Sequence, residues 1–424
     1  MTVSLRTSLN NGLNNGLRES ISGGADGLGT FKAASLDLLF ARKKTLKDRI
    51  TGTNFIDFSR ASTATFVGAD RLVQSASSAA PRFDHNSATG ESLGLLIEEA
   101  RTNEWLNSED ASSASKSNIV SIVTDNVVAP DGTTTADTVT FGVTRNTWTI
   151  IYQGLYNGTY VWSGYLKTND GSTKDLFLSW GAPSASRVAT FTVTGEWQRF
   201  SAVVTPANMN VHLGNHNTLS PESWNGAVID VWGLQLEEAS TLSSYIPTAG
   251  STVTRAADVA QIDGFTSLLA QNSDQLITQS GDSLTGIGLE FGDFYSQSQG
   301  TLFADATGNG VRIAGFNDGT ESNRHELLFA STNVTAFQKN AGVNQVDISS
   351  AVFPKSAFAY ATNDYALSVG GAAVVQDTSA TPPTVHQMSI GNWYNSAEQI
   401  HGHIKRLAYF PTRLVDATLR SITS

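Results

Sequence analysis

The 424-residue chain is expected to be all-β, with two β-sandwich or jelly-roll modules in tandem, an extended N-terminal arm and a short C-terminal helix. Three observations predict this. The composition leans on Ser, Thr, Asn, Gly, Val and Phe rather than on Glu-Lys-Leu helix formers, which suits short strands and turns. Apolar residues make up 40% of the chain and aromatics 9%, enough for packed cores. Short β-branched and aromatic runs, separated by turn signals, recur along two long stretches.

Residues 1–32 form the arm. It opens with a near-repeat, Ser8-Leu9-Asn10-Asn11-Gly12-Leu13 and then Asn14-Asn15-Gly16-Leu17, followed by Gly23, Gly24, Gly27 and Gly29. One apolar side chain per Asn-Gly breaker cannot build a core, so the arm orders only against something else. Residues 33–104 read as a strand and hairpin connector. Leu36, Leu38 and Phe40 alternate as in a strand, although Leu36, Leu39, Phe40 and Lys43 also fit a helical face. The hairpin signals are Phe55 to Phe58, Thr63 to Val67, the turn Gly68-Ala69-Asp70, Arg71 to Val73 and Leu93 to Ile97.

Residues 105–248 form the first module, with nine strand candidates from Asn118–Val123 to Val228–Leu236. That density suits a jelly roll or sandwich. Residues 249–258 link it to the second module, 259–424, whose strand candidates run from Gly286–Phe291 to Gly402–Phe410. From Thr412 the spacing turns helical, with Leu414, Thr418 and Ile422 on one face.

The net charge of −11 argues against wrapping nucleic acid. Its distribution is uneven: residues 1–50 carry eight basic and four acidic side chains, a local +4 on a body of −15, which suits docking onto an acidic partner. Without cysteine there is neither a disulfide framework nor a thiolate metal site. Met1 to Asn10 lacks the apolar stretch of a signal peptide, and no eighteen apolar residues run together, so neither secretion nor membrane insertion is expected.

Several strings resemble a module set of tailed-bacteriophage tail-fibre and other virion surface proteins. One is Phe58-Ser59-Arg60-Ala61-Ser62-Thr63, followed by Pro81-Arg82-Phe83-Asp84 and Gly94-Leu95-Leu96-Ile97-Glu98-Glu99-Ala100-Arg101-Thr102-Asn103. Another is Val231-Trp232-Gly233-Leu234-Gln235-Leu236-Glu237, leading into Ser244-Tyr245-Ile246-Pro247-Thr248 and Thr254-Arg255-Ala256-Ala257-Asp258. It looks like the end of a carbohydrate-binding-module-like jelly roll. Ile404-Lys405-Arg406-Leu407-Ala408-Tyr409-Phe410-Pro411 is similar to the closing strand of concanavalin-like (laminin-G-like) sandwiches. The resemblance implies a virion structural protein made in the host bacterial cytoplasm. It would be a tail fibre or fibre-like appendage that contacts host surface glycans, or else a capsid decoration or head knob with a purely structural role. The implied partners are other virion proteins (a tail adaptor or nozzle, or the capsid), the chain itself as a homotrimer, and host surface polysaccharide.

No nucleophile elbow, Walker loop or His-Glu-x-x-His is present, and the adjacent carboxylates Glu98-Glu99 and Glu237-Glu238 point to opposite strand faces, so no enzyme is expected. Sugar sites need flat aromatic faces with amides alongside. Trp162, Trp232 and Trp197 read as core. The loop aromatics Trp224 with Asn225, and Trp393 and Tyr394 with Asn392, are the glycan-binding candidates, though packing on their own module stands as an equal reading. Leu9, Leu13, Leu17 and Arg18 are the particle-anchoring candidates. Arg60, Arg101 and Glu237 read as structural, the arginines tying loops together through several hydrogen bonds. His401 and His403 would share a strand face but lack a third ligand, as do His212 and His216, so no metal or cofactor is assigned. The resemblance leaves room for a structural calcium near Asn103 or Glu237, without a defined calcium-loop spacing.

Overall fold

A computed structural model describes residues 31–142, 148–180, 187–216, 226–263, 291–330, 332–352, 354–395 and 397–424. The chain is all-β, with antiparallel sheets and a short C-terminal helix. It divides into two compact units, called here middle and terminal after their place in the sequence. Among the described residues, the middle unit takes Arg60–Glu91 and Glu98–Asp258; the terminal unit takes residues 31–59, Ser92–Ile97 and those of Val259–Ser424. The expected connector, 33–104, is therefore not a region of its own. Its hairpin residues join the middle unit, while residues 33–59 and strand Ser92–Ile97 join the terminal one. The stretch 249–258, expected as a linker, holds strand Val253–Arg255 paired with Arg101–Asn103 inside the middle unit.

The middle unit contains two five-stranded antiparallel sheets. One runs Gln198–Val204, Tyr160–Thr168, Val228–Glu238, Ala136–Phe141, Ile119–Val127; the other runs Arg187–Val193, Lys174–Trp180, Ala207–His216, Trp148–Asn157, Ser115–Ser117. All nine expected strands are present; the three-residue Ser115–Ser117 is additional. Side-chain alternation explains the layering. In Lys174–Trp180, Leu176, Leu178 and Trp180 join the core, while Phe177 and Ser179 point the other way. From the facing sheet, Trp162 stacks on Phe191 with ring centroids 5.6 Å apart. Trp162 and Trp232 are both buried, but on opposite faces of their sheet. Trp232 belongs to a second, smaller cluster with Tyr165, Tyr245, Val73 and Ala129. Trp197, expected as core, is only half-buried against that cluster. Its indole N–H donates to the Val128 carbonyl at 3.0 Å, which keeps it at the rim.

In the terminal unit, one sheet has seven strands in the order Asp57–Ser59, Val259–Ile262, Gln387–Ile390, Arg312–Asn317, Arg324–Ala330, Asn333–Asn340, Val343–Ala351. The other centres on Gly402–Phe410, which pairs with Gln299–Gly308 on one side and with both Leu36–Leu38 and Ser92–Ile97 on the other. Gly94, with φ +97, is required there: a Cβ would lie 2.2 Å from the Ile404 carbonyl oxygen. In the segment near residue 36 the strand reading, the favoured one, holds for Leu36–Leu38 only; Phe40 instead opens the short helix Phe40–Lys43, which excludes Leu36 and Leu39. Expected strand Gly286–Phe291 is not observed at its end, where helix Phe291–Phe294 begins; residues 286–290 lie outside the described residues. Helix Asp416–Thr423 starts later than its expected face: it buries Leu419, Ile422 and Thr423, so Ile422 is buried as expected while Leu414, which precedes the helix, and Thr418 are half-buried.

Phe31 roots the chain in this unit. Its ring meets Phe303 at 4.9 Å and Phe410 at 5.6 Å, and the Arg406 guanidinium lies 3.4 Å from its centroid. Arg406 makes two 2.8 Å hydrogen bonds to Asp37, which also pairs with Arg49.

The core between the sheets holds His325, whose Nε2 lies 2.8 Å from the Tyr295 hydroxyl and whose ring centroid is 4.3 Å from that of Tyr360. Tyr360 and Tyr409 share a 2.7 Å hydroxyl contact. Burial lowers the His325 pKa to about 3. The unfolded chain then takes up a proton at 6.5 that the folded unit refuses, so stability is complete above pH 6.5 and declines as pH falls toward 3. The expected cost is about 1.4 kcal/mol per pH unit across the middle of that window. The opening free energy of strand Arg324–Ala330, taken from hydrogen exchange corrected for the intrinsic rate at each pH, should fall accordingly in the wild type, and His325→Gln should flatten that acid dependence.

Candidate functional sites

Arg60, Arg82, Glu98, Arg255 and Asp258, from four separate stretches of the middle unit, meet in one buried cluster. Arg60 reaches one oxygen of Asp258 at 3.0 Å and Arg82 binds the other, while Arg82 meets Glu98 at 2.8 Å. Arg255 lies 3.5 Å from Glu98 and 4.0 Å from Asp258. The Asp258 carboxylate also accepts the Glu98 backbone N–H at 2.9 Å, and Glu98 accepts the backbone N–H and hydroxyl of Ser244, both at 2.7 Å.

Three arginines face two carboxylates, and backbone carbonyls take up several of the surplus donors, while the Nε groups of Arg82 and Arg255 are buried without a hydrogen-bond partner. Arg60 donates to Ser62 and Ser77, Arg82 to Thr65, and Arg255 to Glu99. Burial would lower the Arg82 pKa, but Glu98 and Asp258 outweigh it and hold the guanidinium above its ordinary value. At Arg60 burial wins, despite the Asp258 hydrogen bond, and the pKa falls. This is a fixed-charge scaffold: every carboxylate oxygen is engaged by protein donors, which leaves no base or nucleophile facing a substrate.

Of the structural residues singled out in the sequence, Arg60 belongs to this cluster. Arg101 stands apart, pairing with Glu99 and donating to Thr241 at 3.2 Å. Glu237 closes strand Val228–Glu238 and accepts the backbone N–H and hydroxyl of Ser243. Arg82, Glu98, Arg255 and Asp258 carry the cluster equally but were not singled out. Their signal was an arginine set among small or apolar neighbours, as in Arg255-Ala256-Ala257-Asp258.

Among the glycan-binding candidates, Asn392 is a correction. It is 2% exposed, accepts the Ala260 backbone N–H at 3.2 Å and donates to the Trp393 carbonyl at 2.9 Å, so its amide is committed to the loop. Trp393 lies beneath two guanidiniums, Arg312 at 4.8 Å and Arg324 at 5.6 Å from its ring centroid. Both arginines pair with the buried Glu326, at 2.6 and 3.1 Å. Burial raises the Glu326 pKa against the pull of these two cations. Tyr394 stands edge-on to Trp393 at 4.9 Å and is half-buried. Trp224 and Asn225 lie outside the described residues, as do Leu9, Leu13, Leu17 and Arg18.

The calcium expectation meets a filled site. The Asn103 carbonyl accepts the backbone N–H of Trp105 and of Leu236, both at 3.0 Å, and its amide donates to Leu234 and Ile246. With Glu237 tied to Ser243, neither residue presents oxygens that fit an added cation. His401 sits before strand Gly402–Phe410 with φ +47, so it does not alternate with His403 along a strand as expected. His212 is buried edge-on to Tyr152, and burial lowers its pKa to about 4. Among the described residues no group of three or more His, Asp or Glu could hold a metal ion. No helix among them is long and apolar enough to cross a membrane.

Compared with known proteins, no family profile matches the chain, and no curated protein does. Among solved structures, domains LG4-5 of the mouse laminin alpha1 chain match at 11% identity and a TM-score of 0.21, over 64% of this chain and 86% of that one.

Removing one partner of the buried cluster strands an opposite charge. Asp258→Ala is expected to destabilise the middle unit by about 3–5 kcal/mol, whereas Arg101→Ala should cost about 1 kcal/mol or less. Urea denaturation followed by tryptophan fluorescence measures both, and equal costs would contradict the scaffold role.

Proposed function

We propose that the chain is a bacteriophage virion structural protein, a fibre-like appendage or particle-surface component attached through its N-terminal segment. One observation carries the reading. The strings through which the chain resembles tail-fibre proteins contribute Arg60, Arg82, Glu98 and the Arg255–Asp258 pair, and these meet in a single buried ion cluster. The resemblance thus follows one physical device that holds distant segments together, rather than scattered short matches.

Within that reading the fibre would contact host surface glycans, and a capsid decoration would not. Trp393 under its two guanidiniums and Asn392 spent within its loop favour the second role for this part of the terminal unit. A sandwich serves as a spacer as readily as it serves as a lectin.

Deletion of residues 1–30, stopping short of the buried Phe31, is expected to leave both units folded but absent from purified particles. Normal incorporation of that truncation would sink the attachment claim. Gold-labelled antibody on intact virions locates the protein. A glycan array then separates the two roles, because binding by the full chain supports the fibre and silence supports the decoration. Host polysaccharide incubated with the protein should keep its length.

A further inference from the structure

Between Phe31 and Ile56 the chain carries six basic side chains, Lys32, Arg42, Lys43, Lys44, Lys47 and Arg49, and two acidic ones, Asp37 and Asp48. All six cations are exposed, whereas both acids are buried. The acids are also spent inside the terminal unit. Asp37 pairs with Arg49 and Arg406. Asp48 accepts the backbone N–H of Asp37 at 2.7 Å, those of Ile50 and Thr51 at 3.1 and 2.7 Å, and the Thr51 hydroxyl at 2.9 Å. Among the described residues, Lys32, Lys43, Lys44 and Lys47 make no ion pair. Helix Phe40–Lys43 packs against strands Ser92–Ile97 and Gly402–Phe410, which bring His403, Lys405 and Arg406 but no carboxylate. Asp305 lies close to Lys405, and Asp37 answers Arg406.

The backbone that carries these cations is fixed. Phe40 and Leu46 are buried, Lys44 closes the helix at φ +50 with its N–H on the Phe40 carbonyl at 3.0 Å, and Lys47 bridges to Asn54. Little backbone order is therefore left to lose on docking.

The partner follows from chemistry and place. Unneutralised lysines call for anions. No aromatic ring in residues 31–50 is exposed, so bases have nothing to stack on. The rest of the chain sums to −15, so an extended polyanion that outruns the platform is repelled. A compact patch of protein carboxylates meets neither obstacle. Arg49 also donates to the Phe31 carbonyl at 3.4 Å, so the point where residues 1–30 join the unit lies at the platform. Lysines are depleted from interface cores, and charges at a rim steer and orient more than they anchor.

We propose that the lysine platform at residues 42–47 is a second point of attachment, docking on a carboxylate-rich surface of the protein that receives residues 1–30. The identity of that partner rests on the attachment reading above; its chemistry does not.

The first test uses the full chain and a fluorescent poly-L-glutamate of about 20 residues at low salt. Lys43→Glu/Lys44→Glu/Lys47→Glu should weaken binding about tenfold or more relative to Lys116→Glu/Lys174→Glu/Lys339→Glu, which has the same net charge. Deleting residues 1–30 removes two basic and two acidic side chains and should leave binding in place. Equal binding by the two triple variants, or tighter binding of a DNA duplex than of polyglutamate, overturns the proposal. The second test adds protein to particles that lack it. With residues 1–30 intact, the platform variant should incorporate several-fold more slowly than the control triple, and the gap should close as salt rises. Equal rates overturn the platform but leave attachment through residues 1–30 standing. A wild-type chain that never joins particles sinks the attachment reading and the partner with it, whatever polyglutamate shows.

Discussion

The middle unit depends on one electrostatic constraint: three buried arginines must be neutralised by two buried carboxylates and a ring of carbonyls. Desolvating five charges is expensive, and the arrangement is stable only because each carboxylate oxygen has a donor and each guanidinium has more than one acceptor. The geometry is therefore all-or-none. Arg60, Glu98 and Asp258 are also the residues at which the chain enters or leaves the unit, so the network ties its boundaries together. The sandwich core supplies the hydrophobic driving force, and the cluster specifies which segments may close the unit.

The terminal unit solves a similar problem with neutral groups. Its core polar network is a chain of tyrosine hydroxyls ending on an imidazole, with no carboxylate among the contacts described for His325. Such a network is stable while the imidazole is uncharged. The middle unit also holds a buried imidazole with a lowered pKa, His212, so both units lose stability as pH falls.

Much of the strand content was legible because a strand with one face in the core alternates locally, as in Leu176, Leu178 and Trp180. Ser115–Ser117 was missed because Ser-Lys-Ser carries no apolar alternation, and Val343–Ala351 because its face is mostly polar. The division into units was not legible. That Ser92–Ile97 pairs with Gly402–Phe410 depends on a contact about three hundred residues away, which no local period encodes. The loop aromatics illustrate the same limit at a site. Trp393 reads as an exposed platform until the fold brings Arg312 and Arg324 over its ring.

The long reach of strand Gly402–Phe410 also bears on how the protein is born. Chains emerge from the ribosome N-terminus first, and domains generally fold as units as they appear. The middle unit has its last residue at Asp258, so it can close while the rest is still being made. Leu36–Leu38 and Ser92–Ile97 have no such option, because their shared partner is translated almost last. Leu36–Leu38 precedes the middle unit in sequence and Ser92–Ile97 interrupts it, and for most of synthesis both wait for that one partner. A cell making this protein in bulk must shield them, and chaperone demand should fall on the opening hundred residues rather than on the bulk of the middle unit.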